Sequence, residues 1–570
     1  MKKYALRILT LICVLGLVLP AFARPAEAAP AINPVKKIGL YYGSSGLSAA
    51  NLVNHTGLGY SFGFYDSTRT FIAVAKTGDR ALTVTQDRHY SLSGASYLSS
   101  DPASATGVIC RWHLRYKTAS ASAAAAVQEA ARVSALGYNA YPAHVKGAYY
   151  VALGQYASKT AAESALAEVS GAVGAELTVT GGDDSVLRIT VTDTNRILFT
   201  FDSTSALGIA PLADAGVVAQ TWCGGYRYYG GFEYKLNTNG LINVVNVVDL
   251  CSYVKGVIPY EISASWPVEA QKAQALCAKC YAYSGNKHAS SGFDLCDTAC
   301  CQVYRGNNAA TATSDAAVEA IMSKNITYNG GAITAYYSSS NGGASESSEN
   351  VWTATIGYLR GKADPHEDAS IIPNYKYTKT ITAEQVATIL RNKGYAVPGV
   401  ADMYVSKYTD VGNVYTLTVV DTAGKKWDFN KSSARAVLGT DYVKSQRFTV
   451  TGGSGGAMVS INAGGGKIAL PVKDIFVAGA SGAPVKLAGG PDVKVITGKG
   501  IVSLGTGKTE TGNNGLFTIT GTGSGHNVGM SQWGLYCMAK KNMTYDQMLK
   551  FYYTGVEISD LAVTSGVTAQ

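Results

Sequence analysis

Charge is scarce in this chain, and beyond its first 29 residues no long apolar run occurs. Only 15% of the 570 residues are Asp, Glu, Lys or Arg, and the formal net charge is +9. This mild positive excess suits attraction to anionic polymers, but it lacks the clustered basic character of nucleic-acid-binding proteins. Because no later run is apolar enough to cross a bilayer, we expect membrane contact only through the N-terminal segment.

The N-terminus has the pattern of a secretory signal. Lys2 and Lys3 precede an apolar run over residues 8–19, and the small residues of the AEAA stretch at 26–29 follow. A charged start, a short apolar run and an A-x-A site predict a signal peptide over residues 1–28. An uncleaved N-terminal anchor is the alternative. Either reading predicts an exported chain.

The cysteines do not fit a fully paired disulfide framework. Of the ten, nine follow residue 28, which is an odd number, and several are clustered. The residues His288, Cys296, Cys300 and Cys301 offer one imidazole and three thiolates on one short loop. Such a set can close a tetrahedral zinc site. A disulfide, for example between Cys296 and Cys301, is the alternative.

The pattern of short strands and few helices predicts an α+β protein with a β-rich main domain. Residues 29–105 read as a β-rich lead-in of unknown role, and residues 107–182 as strand–helix–strand–strand–helix–strand. That βαββαβ order predicts a small four-stranded, ferredoxin-like sheet with both helices on one face. Residues 185–560 form the main domain. A Gly-rich β insertion at about 455–515 separates RFTV from its expected partner strand LFTITGTGSG.

One carboxylate stands out. We expect Glu261 to lie between a strand and the start of a helix, bracketed by Pro259 and Pro267 and flanked by Tyr260 and Trp266. Partial desolvation there raises a Glu pKa toward the working pH of an acid–base catalyst. Taken alone, a Glu at such a position is more often a helix-dipole partner or a surface charge.

Two long motifs favour a catalytic role for Glu261 over these alternatives. Residues 244–284 contain VVN, YVKGVIPYE and PVEAQKAQA, and residues 525–534 read GHNVGMSQWG, followed by YDQMLKFYYTGVEI at 545–558. In this order they resemble the SpoIID/LytB family of bacterial cell-wall proteins (stage II sporulation protein D). The resemblance covers residues from about 185 to 560. It implies a peptidoglycan lytic transglycosylase that cleaves the bond between N-acetylmuramic acid and N-acetylglucosamine.

The resemblance also implies roles for individual residues. Glu261 would act as general acid and then as base on the muramyl C6 hydroxyl, which closes a 1,6-anhydro ring. Because this attack is intramolecular, neither a second carboxylate nor a cofactor is needed. The resemblance gives Lys279 and His526 as further residues of the catalytic site. Lys279, which stands where the family usually has Arg, would orient Glu261 or contact the sugar, and His526 is expected beside the cleft. The expected substrate-binding residues are Tyr260, Tyr337, Ser338, Ser340, Ser531 and Gln532, with structural roles as the alternative. Some family members carry a zinc-binding H…C…HC pattern at the His288 cluster.

A second resemblance lies upstream. YYVALGQYASKTAAESALAEV, at 149–169, is similar to SPOR domains, which bind peptidoglycan strands stripped of stem peptides. A packing module without glycan affinity is the alternative. Together the two resemblances imply wall remodelling in sporulation, with an amidase acting first; a vegetative role is the alternative. The rivals to a transglycosylase are a hydrolase and a non-catalytic wall-binding activator of an amidase.

Overall fold

A computed structural model of the chain describes residues 34–99, 108–202, 204–452 and 515–560, together with the backbone of six short strands between 458 and 503. The predicted signal peptide at 1–28 lies outside the described residues. Strands dominate and helices are few, as expected for an α+β protein.

The first half of the described chain is mostly strands. In chain order its elements are β1 (Val35–Tyr41), β2 (Ala49–Asn54), β3 (Gly59–Tyr65), β4 (Phe71–Thr77), β5 (Ala81–Gln86), β6 (Tyr90–Ser93), β7 (Ser96–Ser99), β8 (Val108–Ile109), β9 (Trp112–Tyr116), α1 (Ala123–Ser134), β10 (Ala140–Val145), β11 (Ala148–Tyr156), α2 (Lys159–Val173), β12 (Leu177–Gly181), β13 (Leu187–Val191), β14 (Ile197–Asp202), β15 (Leu207–Leu212), β16 (Thr221–Cys223), β17 (Tyr226–Tyr228), β18 (Gly231–Leu236) and β19 (Ile242–Asp249).

Helices are more frequent in the second half. Its elements are α3 (Leu250–Glu261), α4 (Val268–Ser284), β20 (Leu295–Cys296), α5 (Ala312–Glu319), β21 (Lys324–Tyr328), β22 (Gly331–Ala332), β23 (Tyr337–Ser338), α6 (Ser348–Val351), β24 (Lys376–Thr382), α7 (Ala383–Asn392), β25 (Val400–Thr409), β26 (Val414–Asp421), β27 (Lys426–Asn430), α8 (Ser432–Ala436), β28 (Phe448–Gly452), β29 (Met458–Ala463), β30 (Gly466–Pro471), β31 (Phe476–Val477), β32 (Val485–Lys486), β33 (Lys494–Thr497), β34 (Gly500–Ser503), β35 (Leu516–Thr522), β36 (Met530–Ser531), α9 (Gln532–Ala539), α10 (Tyr545–Tyr552) and β37 (Glu557–Asp560).

Two large sheets share the main core. One has the order β20-β1-β19-β18-β15-β3-β4, and the other has the order β12-β9-β11-β10-β14-β13-β5-β2-β16-β17. The rings of Phe62 on β3 and Phe199 on β14 meet across them with centroids 5.3 Å apart. Apolar residues of both sheets and of α3 and α4 belong to the same buried cluster. The helices that carry the candidate site therefore pack on a rigid β base.

Residues 112–181 do not form a free-standing four-stranded sheet. Their strands follow the order β12-β9-β11-β10, but β10 also pairs in parallel with β14, with Ala143 opposite Thr200. Helices α1 and α2 pack on these strands around a small core that includes Leu114, Leu153 and Val169. Because β5 and β2 of the N-terminal stretch continue the same sheet, this module is joined to the rest by backbone hydrogen bonds.

A second core lies in the C-terminal half. Strand β35 pairs with both β24 and β28, and α7 packs beside them on a separate buried cluster. The pairing of β28 with β35 joins RFTV to LFTITGTGSG, as the sequence predicts. The six short strands β29–β34 lie between these two partners along the chain.

A buried ion cluster ties the 112–181 module to its neighbours. Asp87 accepts hydrogen bonds from Arg188 Nη1 at 2.8 Å and is 3.1 Å from His113 Nε2. Although burial opposes it, contact with these two side chains holds the pKa of Asp87 below its usual value. The cluster links the residue that follows β5 to strands β9 and β13, so it joins three different stretches of the chain.

We predict that Asp87→Ala lowers the free energy of unfolding by about 3–5 kcal/mol, because it leaves the buried guanidinium of Arg188 uncompensated. Urea unfolding measures the loss. Asp184→Ala is the matched control: Asp184 pairs with Arg88 and Arg111, but its side chain is 52% exposed, so the expected cost is below about 1 kcal/mol. Equal losses in the two variants would contradict the prediction.

Candidate functional site around Glu261

Glu261 is the last residue of helix α3. The expectation of a strand-to-helix junction at this position is wrong, because residues 250–261 are helical. Asp249 caps the helix by accepting the Ser252 N–H at 3.0 Å, and apolar residues at helical spacing bury one face. Pro259 removes one backbone donor close to the C-terminal end, where the helix ends two residues later. Glu261 is therefore placed between two helices, α3 and α4.

Three donors from distant parts of the chain converge on this carboxyl group. Oε1 accepts the Val303 N–H at 3.0 Å, and Oε2 accepts the Gln532 side-chain amide at 3.0 Å. The Tyr337 hydroxyl adds a third hydrogen bond. Burial raises the pKa of Glu261, and these donors only partly oppose it. Glu261 thus keeps its proton to a higher pH than an exposed Glu, which suits a general acid.

Buried polar residues hold Tyr337 in place. Its hydroxyl accepts a hydrogen bond from Gln302 Nε2 at 3.0 Å, and Gln302 Oε1 accepts the Tyr253 hydroxyl at 3.1 Å. Strand β23, which carries Tyr337, pairs in parallel with β36, with Tyr337 opposite Met530. The segments that carry the predicted substrate-binding residues Tyr337 and Ser531 therefore meet as adjacent strands beside Glu261.

His526 lies in the glycine-rich loop that precedes β36. Its ring contacts residues other than Glu261. Its Nδ1 accepts the Val528 N–H at 3.0 Å, while the ring also hydrogen-bonds to the backbone of Tyr337 and packs against Trp352 with centroids 5.3 Å apart. Burial, assisted by the positive charge of Arg435, lowers the pKa of His526 to about 4. The ring is therefore neutral at physiological pH, and it holds the loop beside the cleft.

Close backbone approach explains the glycine at position 525. This residue has φ of +130°, and a Cβ there would lie 2.4 Å from the Cβ of Ser338. Any side chain would push the loop away from β23. Ser338 is accordingly buried beneath the loop, where it packs against Gly525.

Lys279 is fully buried on α4 and donates a hydrogen bond to the carbonyl of Lys324 at the start of β21. Burial lowers the pKa of its ammonium group. This contact joins α4 to a strand. Lys279 is thus held by a backbone carbonyl, a bond that the family's more usual Arg at this position could also make.

Sequence reasoning did not find Glu367. Its carboxylate accepts the Ser340 hydroxyl at 3.0 Å and the Ser531 hydroxyl at 2.5 Å, along with the N–H groups of Asn341 and Gly343 at 2.8 and 3.1 Å. Two of the three serines predicted to bind substrate, Ser340 and Ser531, are thus bonded to this one acid. Glu367 therefore holds Ser531 in place, and the next residue, Gln532, donates to Glu261. A lone Glu in a loop carries no sequence signal for such a role.

The four residues of the zinc candidate are brought together. The ligand atoms of His288, Cys296, Cys300 and Cys301 all lie within 4.8 Å of one another. None of the nine cysteines in the described part of the chain forms a disulfide. An imidazole and three thiolates in this arrangement fit the donor set of a tetrahedral zinc site.

This cluster leads directly into the Glu261 site. Cys301 is followed by Gln302, which bonds Tyr337, and by Val303, whose N–H bonds Glu261. The interaction that fixes the position of Cys301 therefore also fixes the position of Val303, which donates to Glu261.

Known proteins are similar to this chain in sequence. A family model described as "Stage II sporulation protein", SpoIID, matches residues 238–328, which include Glu261 and the His288 cluster. An uncharacterized protein of Brachyspira hyodysenteriae is 30% identical over 351 residues, covering 60% of this chain and 77% of that protein. The chain belongs to the SpoIID family. A SPOR domain model also matches residues 112–177.

Two relatives in Bacillus subtilis have functional names. Stage II sporulation protein D is 28% identical over 333 residues, covering 55% of this chain and 76% of that protein. The amidase enhancer is 30% identical over 312 residues, but the match spans only 40% of its length. Within the described part of the SpoIID chain, we find no helix of the length and apolarity that a membrane span requires.

We predict that Glu367→Ala destabilises the protein by about 1–3 kcal/mol, because it leaves several donors around the Ser340 and Ser531 loops unpaired. Thermal and urea unfolding test this. Glu384→Ala is the control, since Glu384 lies on α7, is 74% exposed and pairs only with Arg391 among the ion pairs of the described residues. A Glu367→Ala protein as stable as this control would refute the structural role of Glu367.

Proposed function

We propose that this SpoIID-family protein is an exported peptidoglycan lytic transglycosylase in which Glu261 is the only acid–base catalyst. The observation that carries the proposal is the environment of Glu261: a half-buried carboxyl group, with a raised pKa, hydrogen-bonded to Val303 and Gln532. Such a group can donate a proton at a higher pH than an exposed Glu and later accept one.

The proposed reaction balances within the substrate. Glu261 protonates the glycosidic oxygen as the bond from C1 of N-acetylmuramic acid to N-acetylglucosamine breaks. The C6 hydroxyl of the same muramyl residue attacks C1, and its proton passes to Glu261, which restores the acid. No water is consumed, and the products are a 1,6-anhydromuramyl end and a free N-acetylglucosamine end. Tethering of the nucleophile supplies a high effective molarity.

The bonding of Glu367 supports a single-carboxylate mechanism. A hydrolase needs a second carboxylate to attack the sugar or activate water. Glu367 is the candidate in the neighbouring loop, but its oxygens already accept four hydrogen bonds from the protein. We therefore assign it to positioning Ser531 and Gln532.

The SPOR module suggests the form of the substrate. We propose that residues 112–177 bind peptide-stripped glycan strands, so that one polymer contacts both the module and the Glu261 site. Because the module's sheet and the sheet beneath α3 contribute to one buried cluster, the two sites would keep a set spacing. The names of the Bacillus relatives support a role in wall remodelling during sporulation.

A non-catalytic function is the second candidate. One relative is named an amidase enhancer, and a wall-binding activator of a cell-wall amidase needs a glycan site but no acid. The half-buried, donor-bound Glu261 favours the enzyme. An activator would keep its effect when Glu261 is neutralised, so one substitution separates the two candidates.

We predict that Glu261→Gln lowers the rate of glycan cleavage by about 10²–10⁴-fold, because Gln keeps the shape but cannot transfer a proton. Incubation with peptide-free glycan, followed by mass spectrometry, detects the 1,6-anhydro ends. Products one water heavier would identify a hydrolase instead.

The matched control is Glu269→Gln, a change of the same kind in helix α4. Glu269 pairs with Lys272 and accepts the Tyr545 N–H, and we expect its variant to keep activity. If Glu261→Gln cleaves as fast as wild type, or if wild type makes no new ends while stimulating an amidase, the enzyme proposal fails.

We also propose that the His288 cluster holds a structural zinc ion. His288, Cys296, Cys300 and Cys301 would be its ligands, and the ion would supply no chemistry to the reaction. Lys287 supports this assignment, because its ammonium group lies 3.0 Å from Cys300 Sγ and favours the thiolate form that zinc binds. Its role would be to anchor the segment that carries Gln302 and Val303.

We predict about one zinc per chain by elemental analysis of protein purified under reducing conditions, and loss of most of it in Cys296→Ser. Cys110→Ser is the control, since Cys110 lies outside the cluster, and it should keep full metal content. Metal-free wild-type protein with two fewer titratable thiols would show a disulfide instead.

A further inference from the structure

The segment whose Val303 N–H bonds Glu261 continues to Arg305, which lies on a surface formed by aromatic and cationic side chains. Arg305, two residues after Val303, donates from Nη1 to the Tyr226 hydroxyl at 2.8 Å, and its guanidinium carbon lies 5.6 Å from the centre of that ring. The Tyr226 ring meets Tyr260 edge-on, with centroids 6.3 Å apart. Tyr260 directly precedes Glu261. We call Tyr226, Tyr260 and Arg305 the Arg305 patch.

The backbone under the Arg305 patch is tightly held. Gly306 has φ of +63°, and a Cβ there would lie 2.1 Å from the carbonyl oxygen of Arg227 on β17. The Asn307 N–H donates to that same carbonyl at 2.7 Å. Arg227 in turn donates its N–H to Asn308 Oδ1 at 2.7 Å. Arg305 is thus anchored by its main chain while its side chain stays exposed.

The positive charge of the Arg305 patch is available to a ligand. Among the described residues, no carboxylate lies within ion-pair distance of Arg305; the nearby Asp297 acts only as a weaker charge that, after Tyr226, helps to raise its pKa. Burial raises the pKa of Tyr260, whereas the charges of Arg305 and Arg227 oppose that rise. The Arg227 charge therefore also acts on Tyr260, while the Arg305 guanidinium contacts Tyr226 directly.

We propose that the Arg305 patch is a sugar subsite, next to Glu261, that binds the lactyl carboxylate of an N-acetylmuramic acid residue whose stem peptide has been removed. The subsite rests on the proposed function, because it takes the muramyl glycan as ligand. A guanidinium matches a carboxylate in two parallel hydrogen bonds, and tyrosine rings offer flat, amphipathic faces to a sugar. With a peptide attached, that carboxylate is a neutral amide and the charge match is lost.

Binding by non-cleaving protein tests the subsite. The ligands are four-sugar peptide-free glycans and the same glycans with their lactyl carboxylates converted to methylamides, titrated against Glu261→Gln protein. We expect a preference for the carboxylate form. Adding Arg305→Gln should weaken binding of that form by about tenfold and leave the amide form unchanged, because one charged hydrogen-bonding partner is lost.

Two further variants serve as controls for the effect of Arg305→Gln. Arg305→Lys keeps the charge without the fork and should retain part of the preference. Arg391→Gln removes an exposed arginine elsewhere, on α7, and should retain all of it. A preference that is absent from the parent, or that survives Arg305→Gln (as it would if the SPOR module alone produced it), overturns the proposal.

The binding test is independent of turnover. If the wild-type protein forms no anhydro ends but the carboxylate preference still depends on Arg305, the transglycosylase proposal fails and the subsite stands. If cleavage occurs and KM for the carboxylate glycan is the same in Arg305→Gln as in wild type, the enzyme stands and the subsite fails.

Discussion

The hydrogen bonds that converge on the Glu261 carboxyl group are the constraint on which the rest of the site depends. Val303 and Gln532 are far from Glu261 along the chain, yet each donates to one of its oxygens at 3.0 Å. Burial disfavours the charged carboxylate, and the donors stabilise it, so its pKa reflects the balance between them. A slightly wetter site would leave an ordinary Glu, whereas a site without donors would hold the proton too tightly to release it.

Most of the surrounding structure serves to bring those donors to one place. The Val303 donor lies between Cys301, one of the metal-ligand candidates, and Arg305 of the patch, so one short stretch joins both of these sites to Glu261. The Gln532 donor follows Ser531, which Glu367 holds. The segments that carry Val303 and Gln532 both pack in the buried cluster that includes helix α4 and residues of the two large sheets. Changes far from Glu261 can therefore alter its protonation by moving a donor.

The sequence predicts the parts that depend on local pattern. The β-rich α+β class, the pairing of β28 with β35 and the grouping of His288 with three cysteines all follow from periodicity or close spacing. The helix ending at Glu261 was missed because Pro259 and the β-branched residues before it favour a strand reading, while burial against the sheets decides for a helix. Glu367 was missed because its donors come from residues 340–343 and 531, and only tertiary packing unites them. The shared sheet of the SPOR module depends likewise on a non-local pairing.

The protonation state of Glu261 is the central claim, and infrared difference spectroscopy measures it most directly. The spectrum of Glu261→Gln is subtracted from that of wild type at a series of pH values, which isolates the carboxyl stretch of this one residue. The account predicts that the protonated band persists above the pH at which an exposed Glu loses its proton, near 4.3. A band that disappears at or below that pH would contradict it, because Glu261 would then be an ordinary carboxylate with no proton to give.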